Sequence, residues 1–125
     1  MDELLYEKES FIIRGACYEV HNEKGSGFLE SIYQECLEKE MRIQRIPFET
    51  QPKLALDYKG EPLEQSLRPD LVCYGKIIVE LKAVDKLNEK HRAQVFNYLA
   101  ATKMRLGLLV NFAAHPKLEI VRIVV

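Results

Sequence analysis

Arg68-Pro69-Asp70-Leu71-Val72-Cys73-Tyr74-Gly75-Lys76-Ile77-Ile78-Val79-Glu80-Leu81-Lys82 reads as a strand, a tight turn and a second strand. Gly75 is the natural turn residue, since glycine takes positive φ at no steric cost. Asp70 falls on the first strand. Glu80 and Lys82 fall on the second, in an apolar run that otherwise excludes charge. Side chains alternate across a strand, so Ile78, Glu80 and Lys82 share one face while Ile77, Val79 and Leu81 take the other. A loop with an odd number of residues centred on Gly75 sets Asp70 directly opposite Glu80. An even-numbered loop would set it opposite a residue of the wrong face. Directly opposed residues have Cβ atoms about 5 Å apart. Two carboxylates that close repel each other unless something positive lies between them. A divalent cation and the Lys82 ammonium would serve.

That arrangement suits phosphodiester cleavage. Oxygen ligands select Mg²⁺ or Mn²⁺. Such a metal polarises the phosphate and brings in the attacking water, and the Lys82 ammonium can stabilise the charge growing in the transition state. The same D-x9-E-x-K spacing also fits an edge hairpin carrying a surface salt bridge between Glu80 and Lys82, so the rest of the chain has to be weighed with it.

A chain of 125 residues is long enough for one domain and too short for two ordinary ones, and residues 1–125 are read as a single unit. With 47% hydrophobic and 30% charged residues the composition is that of a soluble globular protein. No apolar run reaches the length of a membrane span. Met1-Asp2-Glu3-Leu4-Leu5 is acidic and lacks a signal-peptide pattern, so a cytoplasmic setting is the expectation. Cys17, Cys36 and Cys73 are odd in number, far apart and set among apolar neighbours. They read as buried free thiols and suggest neither a zinc site nor a disulfide framework. His21, His91 and His115 are equally scattered. A net charge of −1 is not the footprint of a protein that binds nucleic acid by bulk charge. Charge is uneven, however. Lys82, Lys86, Lys90, Arg92, Lys103 and Arg105 share a stretch whose only acids are Asp85 and Glu89. That stretch reads either as a basic face beside the motif or as a solvated helix surface.

Taken in order, Glu7 to about Glu23 forms a first helix, with Phe11, Ile12, Ala16 and Val20 at helical spacing. Asn22 to Gly27 is a polar, glycine-rich break. A second helix runs from about Phe28 to Ile43 with an apolar stripe of Leu29, Ile32, Tyr33, Cys36 and Leu37, and Pro47 ends it. Lys53 to Tyr58 alternates as a strand, Lys59-Gly60 turns, and Leu63 to Leu67 leads into the strand of Pro69-Asp70. Asn88 is a candidate N-cap for a third helix from about Glu89 to Lys103, with Ala93, Phe96, Leu99 and Ala100 turned inward. Leu106 to Phe112 is a continuous apolar run, the pattern of a buried strand, and Leu118 to Val125 is the last strand. The order is helix, helix, three antiparallel strands, helix, strand, strand. The helical crossover makes the strands on either side of it parallel. This is an α/β fold, a mixed β-sheet flanked by helices.

Three further places could carry chemistry. Glu30 opens the second helix, where the macrodipole alone favours an acid; it could also reach a metal as a third carboxylate, with Tyr33 one turn on. Gln94 and Tyr98 sit four apart on the third helix, hence on one face. They could support a substrate phosphate, the lysine or a metal-bound water, or could simply be a half-buried tyrosine and a surface amide. Asn97 and Asn111 are polar but nothing local directs them. There is no G-x-S-x-G, Walker loop or G-x-G-x-x-G.

Together these residues resemble the PD-(D/E)XK nuclease superfamily, and within it the small GxxExxY family. Gly27-Phe28-Leu29-Glu30-Ser31-Ile32-Tyr33 matches the name motif, Pro69-Asp70 with Glu80-Leu81-Lys82 matches the superfamily motif, and Gln94 to Tyr98 resembles a Q-x-x-x-Y element of some members. The resemblance implies a nuclease core of helix, three strands, helix and strand, and Mg²⁺-dependent (or Mn²⁺-dependent) hydrolysis of nucleic acid, DNA first. It implies that Asp70 and Glu80 bind the metal, that Glu30 adds a metal or water ligand, that Lys82 assists the water, and that Gln94, Tyr98 and Tyr33 support the site. A homodimer is expected only because cutting both strands takes two sites. The rival reading is a non-catalytic nucleic-acid-binding or accessory protein on the same fold.

Overall fold

The computed structural model describes residues 4–125; the reading of Met1 to Glu3 lies outside them. The elements in chain order are α1 (Glu7–Lys24), α2 (Glu30–Gln44), β1 (Phe48–Thr50), β2 (Leu54–Tyr58), β3 (Glu61–Leu67), β4 (Leu71–Cys73), β5 (Ile77–Lys82), α3 (Glu89–Thr102), β6 (Leu106–Asn111) and β7 (Glu119–Val124). Among the described residues the main sheet has the order β1-β4-β5-β6-β7, and β2 and β3 form a separate two-stranded sheet. The β5–β6 pair is parallel and the other pairs are antiparallel. The helical crossover therefore does what the sequence implied. No helix among the described residues is long and apolar enough to cross a membrane.

The alternation of β5 divides the core in two. Ile77, Val79 and Leu81 join Ile13, Ala16, Cys17, Tyr33, Leu37 and Met41 beneath α1 and α2. Ile78 faces the opposite way, to Val95, Tyr98 and Leu99 of α3 and to Leu54 and Leu67 of the β2–β3 hairpin. Each such aliphatic side chain contributes roughly 1.5–3 kcal/mol on burial. The strand is buried on both faces, so its sequence reads as a continuous apolar run. An edge hairpin with a surface salt bridge is thereby excluded, because β5 lies at the centre of the sheet.

Three expectations are corrected. Leu63–Leu67 does not run on into the Asp70 strand. Pro69 supplies no N–H and restricts Arg68, so β3 ends at Leu67 and the chain enters a different sheet. Asp70 consequently stands immediately before β4, not on it. A short strand, β1, also precedes the hairpin and covers the outer edge of β4.

The helices are rotated from the inferred stripes. On α1 the buried face is Ile13, Ala16, Cys17 and Val20, and Phe11 is 74% exposed. On α2 it is Tyr33, Leu37 and Met41, and Leu29 is 70% exposed. On α3 it is Val95, Tyr98 and Leu99, with Ala93, Phe96 and Ala100 outside. Each helix carries more apolar residues than one face can use, and sheet contact selects among them. For α3 the selector is Gly107 on β6. A Cβ there would lie 2.5 Å from Val95 Cγ1, so the missing side chain is what lets α3 sit down with Val95 over the strand. Asn88 caps α3 as expected, its side chain accepting from the Lys90 and His91 N–H groups.

Candidate active site

The β4–β5 hairpin turns through Tyr74, Gly75 and Lys76, an odd-numbered loop, with Tyr74 and Gly75 both at positive φ. The pairing Leu71↔Val79, Val72↔Ile78, Cys73↔Ile77 extends to place Asp70 across from Glu80. The two acids grip each other's strand. Asp70 N–H donates to Glu80 Oε1 at 3.0 Å, and Leu81 N–H donates to Asp70 Oδ2 at 2.8 Å. Asp70 Oδ1 accepts no hydrogen bond among the described residues.

Glu80 is 4% exposed. Burial, followed by the Asp70 charge, raises its carboxyl from the ordinary 4.5 to about 7; the Asp70 N–H bond and Lys82 pull the other way, and Glu30 adds to the rise. Asp70 is also raised by burial, against the Leu81 N–H bond and Lys82. Glu30 opens α2 beside Asp70 in a cleft of about 170 Å³ that Ser31, Gln34 and Gln51 also line. Its side chain reaches solvent, yet desolvation and then the Asp70 charge raise its pKa. Three carboxyls thus lie toward one end of the sheet, and burial is the first cause that disfavours the charged form of each.

Lys82 is the cation they have. Its Nζ lies 3.6 Å from Glu80 Oε2 and donates to Gln94 Oε1 at 2.8 Å. An ammonium can only donate, so the oxygen of the Gln94 amide must face it. The amide nitrogen is thereby left to donate to the Tyr98 hydroxyl at 3.0 Å. Burial, then the charges of Glu80 and Asp70, hold the Tyr98 phenol above its ordinary range. Gln94 and Tyr98 therefore stand where the helical spacing put them, behind the lysine.

Tyr33 is placed differently. It is buried, stacked on Phe112 with ring centroids 4.7 Å apart, and does not reach the carboxylates. Its hydroxyl donates to the Gly25 carbonyl and accepts from Phe28 N–H. It latches the glycine-rich turn, in which Gly27 has φ +113, and so sets where α2 and Glu30 begin. The side chain that shares the Glu30 face is Gln34, one turn on, whose Nε2 donates to the Asp70 carbonyl at 3.1 Å. Sequence reasoning passed over Gln34; its i+4 spacing from Glu30 was the available signal.

Asn111 proves to be a clamp. It is fully buried, its Oδ1 accepts from Val84 and Ala113 N–H, and its Nδ2 donates to the Val84 carbonyl. It fixes the chain just beyond Lys82. The C-terminal basic residues Lys86, Lys90, Arg92 and Lys103 lie exposed before, along and just after α3.

Among the described residues no three His, Cys, Asp or Glu side chains stand close enough to enclose a metal by themselves. Mg²⁺ does not require it, since it is commonly held by one or two carboxylates with water and phosphate completing its octahedron. Two opposed carboxylates, each raised by burial, and a third beside them form a donor set that fits such an ion.

A model of the PD-(D/E)XK nuclease superfamily matches residues 7–123. The chain belongs to that superfamily. Neither a curated protein nor a solved structure matches it significantly.

Proposed function

We propose that the protein is a metal-dependent nuclease that hydrolyses phosphodiester bonds in nucleic acid, with DNA as the favoured substrate, and that it represents the GxxExxY group of its superfamily. One observation carries the reading. Asp70 and Glu80 are locked opposite one another at the buried end of a central strand, with the Lys82 ammonium on the same face. A structural salt bridge has no need of a second, mutually repelling carboxylate.

Asp70 and Glu80 would hold Mg²⁺ or Mn²⁺, with Glu30 beside them. The metal would supply Lewis acidity at the phosphate and a template for the attacking water. The chain's own part is positioning and charge. The cross-strand bonds hold both carboxylates in place before substrate arrives, so little reorganisation is needed. Lys82, held by Gln94, offers a fixed positive charge to the phosphate oxygens as negative charge builds there. Tyr98 accepts from the Gln94 amide and holds that side chain in place behind Lys82. Tyr33 acts at one remove, by setting the start of α2.

The test is cleavage of single-stranded, duplex and branched DNA and of RNA with Mg²⁺ or Mn²⁺, comparing wild type with Asp70→Ala. Cleavage that EDTA abolishes and Asp70→Ala lacks upholds the proposal. Cleavage unchanged in Asp70→Ala refutes the site. Binding that survives EDTA with no cleavage points instead to a non-catalytic nucleic-acid-binding protein.

A further inference from the structure

Asp70 stands outside the β4 ladder, so its backbone has to be fixed by something else. Its carbonyl accepts from Gln51 N–H at 3.0 Å and from Gln34 Nε2 at 3.1 Å. The second nitrogen–hydrogen of the same amide points to Glu38 Oε2, 2.8 Å away. A carbonyl and a carboxylate are both pure acceptors, so only the NH₂ end of Gln34 can satisfy the pair. Glu38 and the Asp70 carbonyl together fix which way the amide faces. Gln34 is the one side chain of α2 hydrogen-bonded to Asp70, and it lies one turn beyond Glu30 in the same cleft.

We propose that Gln34 is a positioning residue of this site: it ties the helix that carries Glu30 to the Asp70 backbone and so fixes the spacing and direction of the carboxylates that receive the metal. The inference rests on the metal-site reading above. Gln34 touches neither substrate nor reacting atoms and acts through Asp70. Leu81 N–H reports its effect directly, because that amide is held by the Asp70 carboxylate.

The test uses the full chain with Gln34→Met, which keeps side-chain length and removes both donors. Two quantities are read: Mn²⁺ affinity by calorimetry, and the exchange rate of the Leu81 amide in metal-free protein by NMR. The expected result is about a tenfold loss of Mn²⁺ affinity and several-fold faster Leu81 exchange, with the amides of β6 exchanging as in wild type. A merely structural role would move the β6 amides as well, or nothing at Leu81. Unchanged affinity and unchanged Leu81 exchange overturn the inference. If Gln34→Met does not fold, Gln34→Ala is read in the same way. It removes the same two donors, and Leu81 exchange must then rise; a wild-type rate overturns the inference. A wild type that binds no Mn²⁺, even with a phosphorothioate oligonucleotide, sinks the metal-site reading without reference to any variant. The Leu81 comparison, which needs no metal, then still decides whether Gln34 positions Asp70.

Discussion

Glu80→Gln isolates the electrostatic strain that the site stores. The substitution keeps the shape of the side chain and leaves an oxygen to accept the Asp70 N–H, while removing the charge. Folding raises the Glu80 pKa from 4.5 to about 7. The folded chain therefore holds this proton more tightly than the unfolded one. The stability it contributes is fully present below about pH 4.5 and lost as pH rises through about 7. A shift of that size corresponds to roughly 3 kcal/mol at about 1.4 kcal/mol per unit. Urea denaturation in EDTA at intervals from pH 4 to pH 8 measures it. The wild type should lose about that much relative to Glu80→Gln across the range, mostly between pH 5 and pH 7, so that the variant is the more stable protein at pH 8. Subtracting one curve from the other cancels the titrating groups distant from Glu80, while what Glu80 shares with Asp70 and Glu30 stays in the difference. Parallel curves would refute the claim that Glu80 is a buried carboxylate lacking a sufficient counter-charge, and with it the main physical argument for a cation there.

Tyr33→Phe keeps the stack on Phe112 but leaves Gly25 O and Phe28 N–H without their partner. A loss of about 2 kcal/mol is expected by chemical denaturation, with the Gly25–Phe28 turn exchanging its amides faster than the core of α2. Gly107→Ala places a methyl 2.5 Å from Val95 Cγ1. It should cost about 1–3 kcal/mol through overpacking, and adding Val95→Ala should recover most of that in the same assay.

Much of the site was legible along the chain, and for local reasons. Period-two alternation put Glu80 and Lys82 on one face, and an odd-numbered loop centred on Gly75 was the condition for Asp70 to stand opposite Glu80. Strand pairing across a three-residue turn is a short-range property, and the register Leu71↔Val79 follows it. Gln94 and Tyr98 came from helical spacing, and the bond of Gln94 to Lys82 and the bond between the two agree with it.

Direction was harder to read wherever a helix carried spare apolar residues. Phe96 and Phe11 looked inward by spacing and lie outside, while Val95 and Ile13 pack within. The choice is made by what lies across the interface, above all by the missing side chain at Gly107, and nothing in α3 itself records that. The β2–β3 hairpin likewise looked continuous with the Asp70 strand until Pro69 sent the chain into a second sheet.

The sequence by itself determined the order of the three helices, the parallel crossover and the face shared by Glu80 and Lys82, and it made the opposition of Asp70 to Glu80 depend on an odd-numbered loop, which the three-residue turn supplies. All of these follow from backbone periodicity and turn length within a few residues. Only the tertiary structure decided that Tyr33 latches a turn instead of facing the carboxylates, that Asn111 clamps the chain beyond Lys82, and that Gln34 reaches the Asp70 carbonyl. The Gln34–Asp70 and Asn111–Val84 bonds, and the Phe112 stack that turns Tyr33 inward, join residues far apart in the chain, and burial in a shared core, not local preference, brings them together.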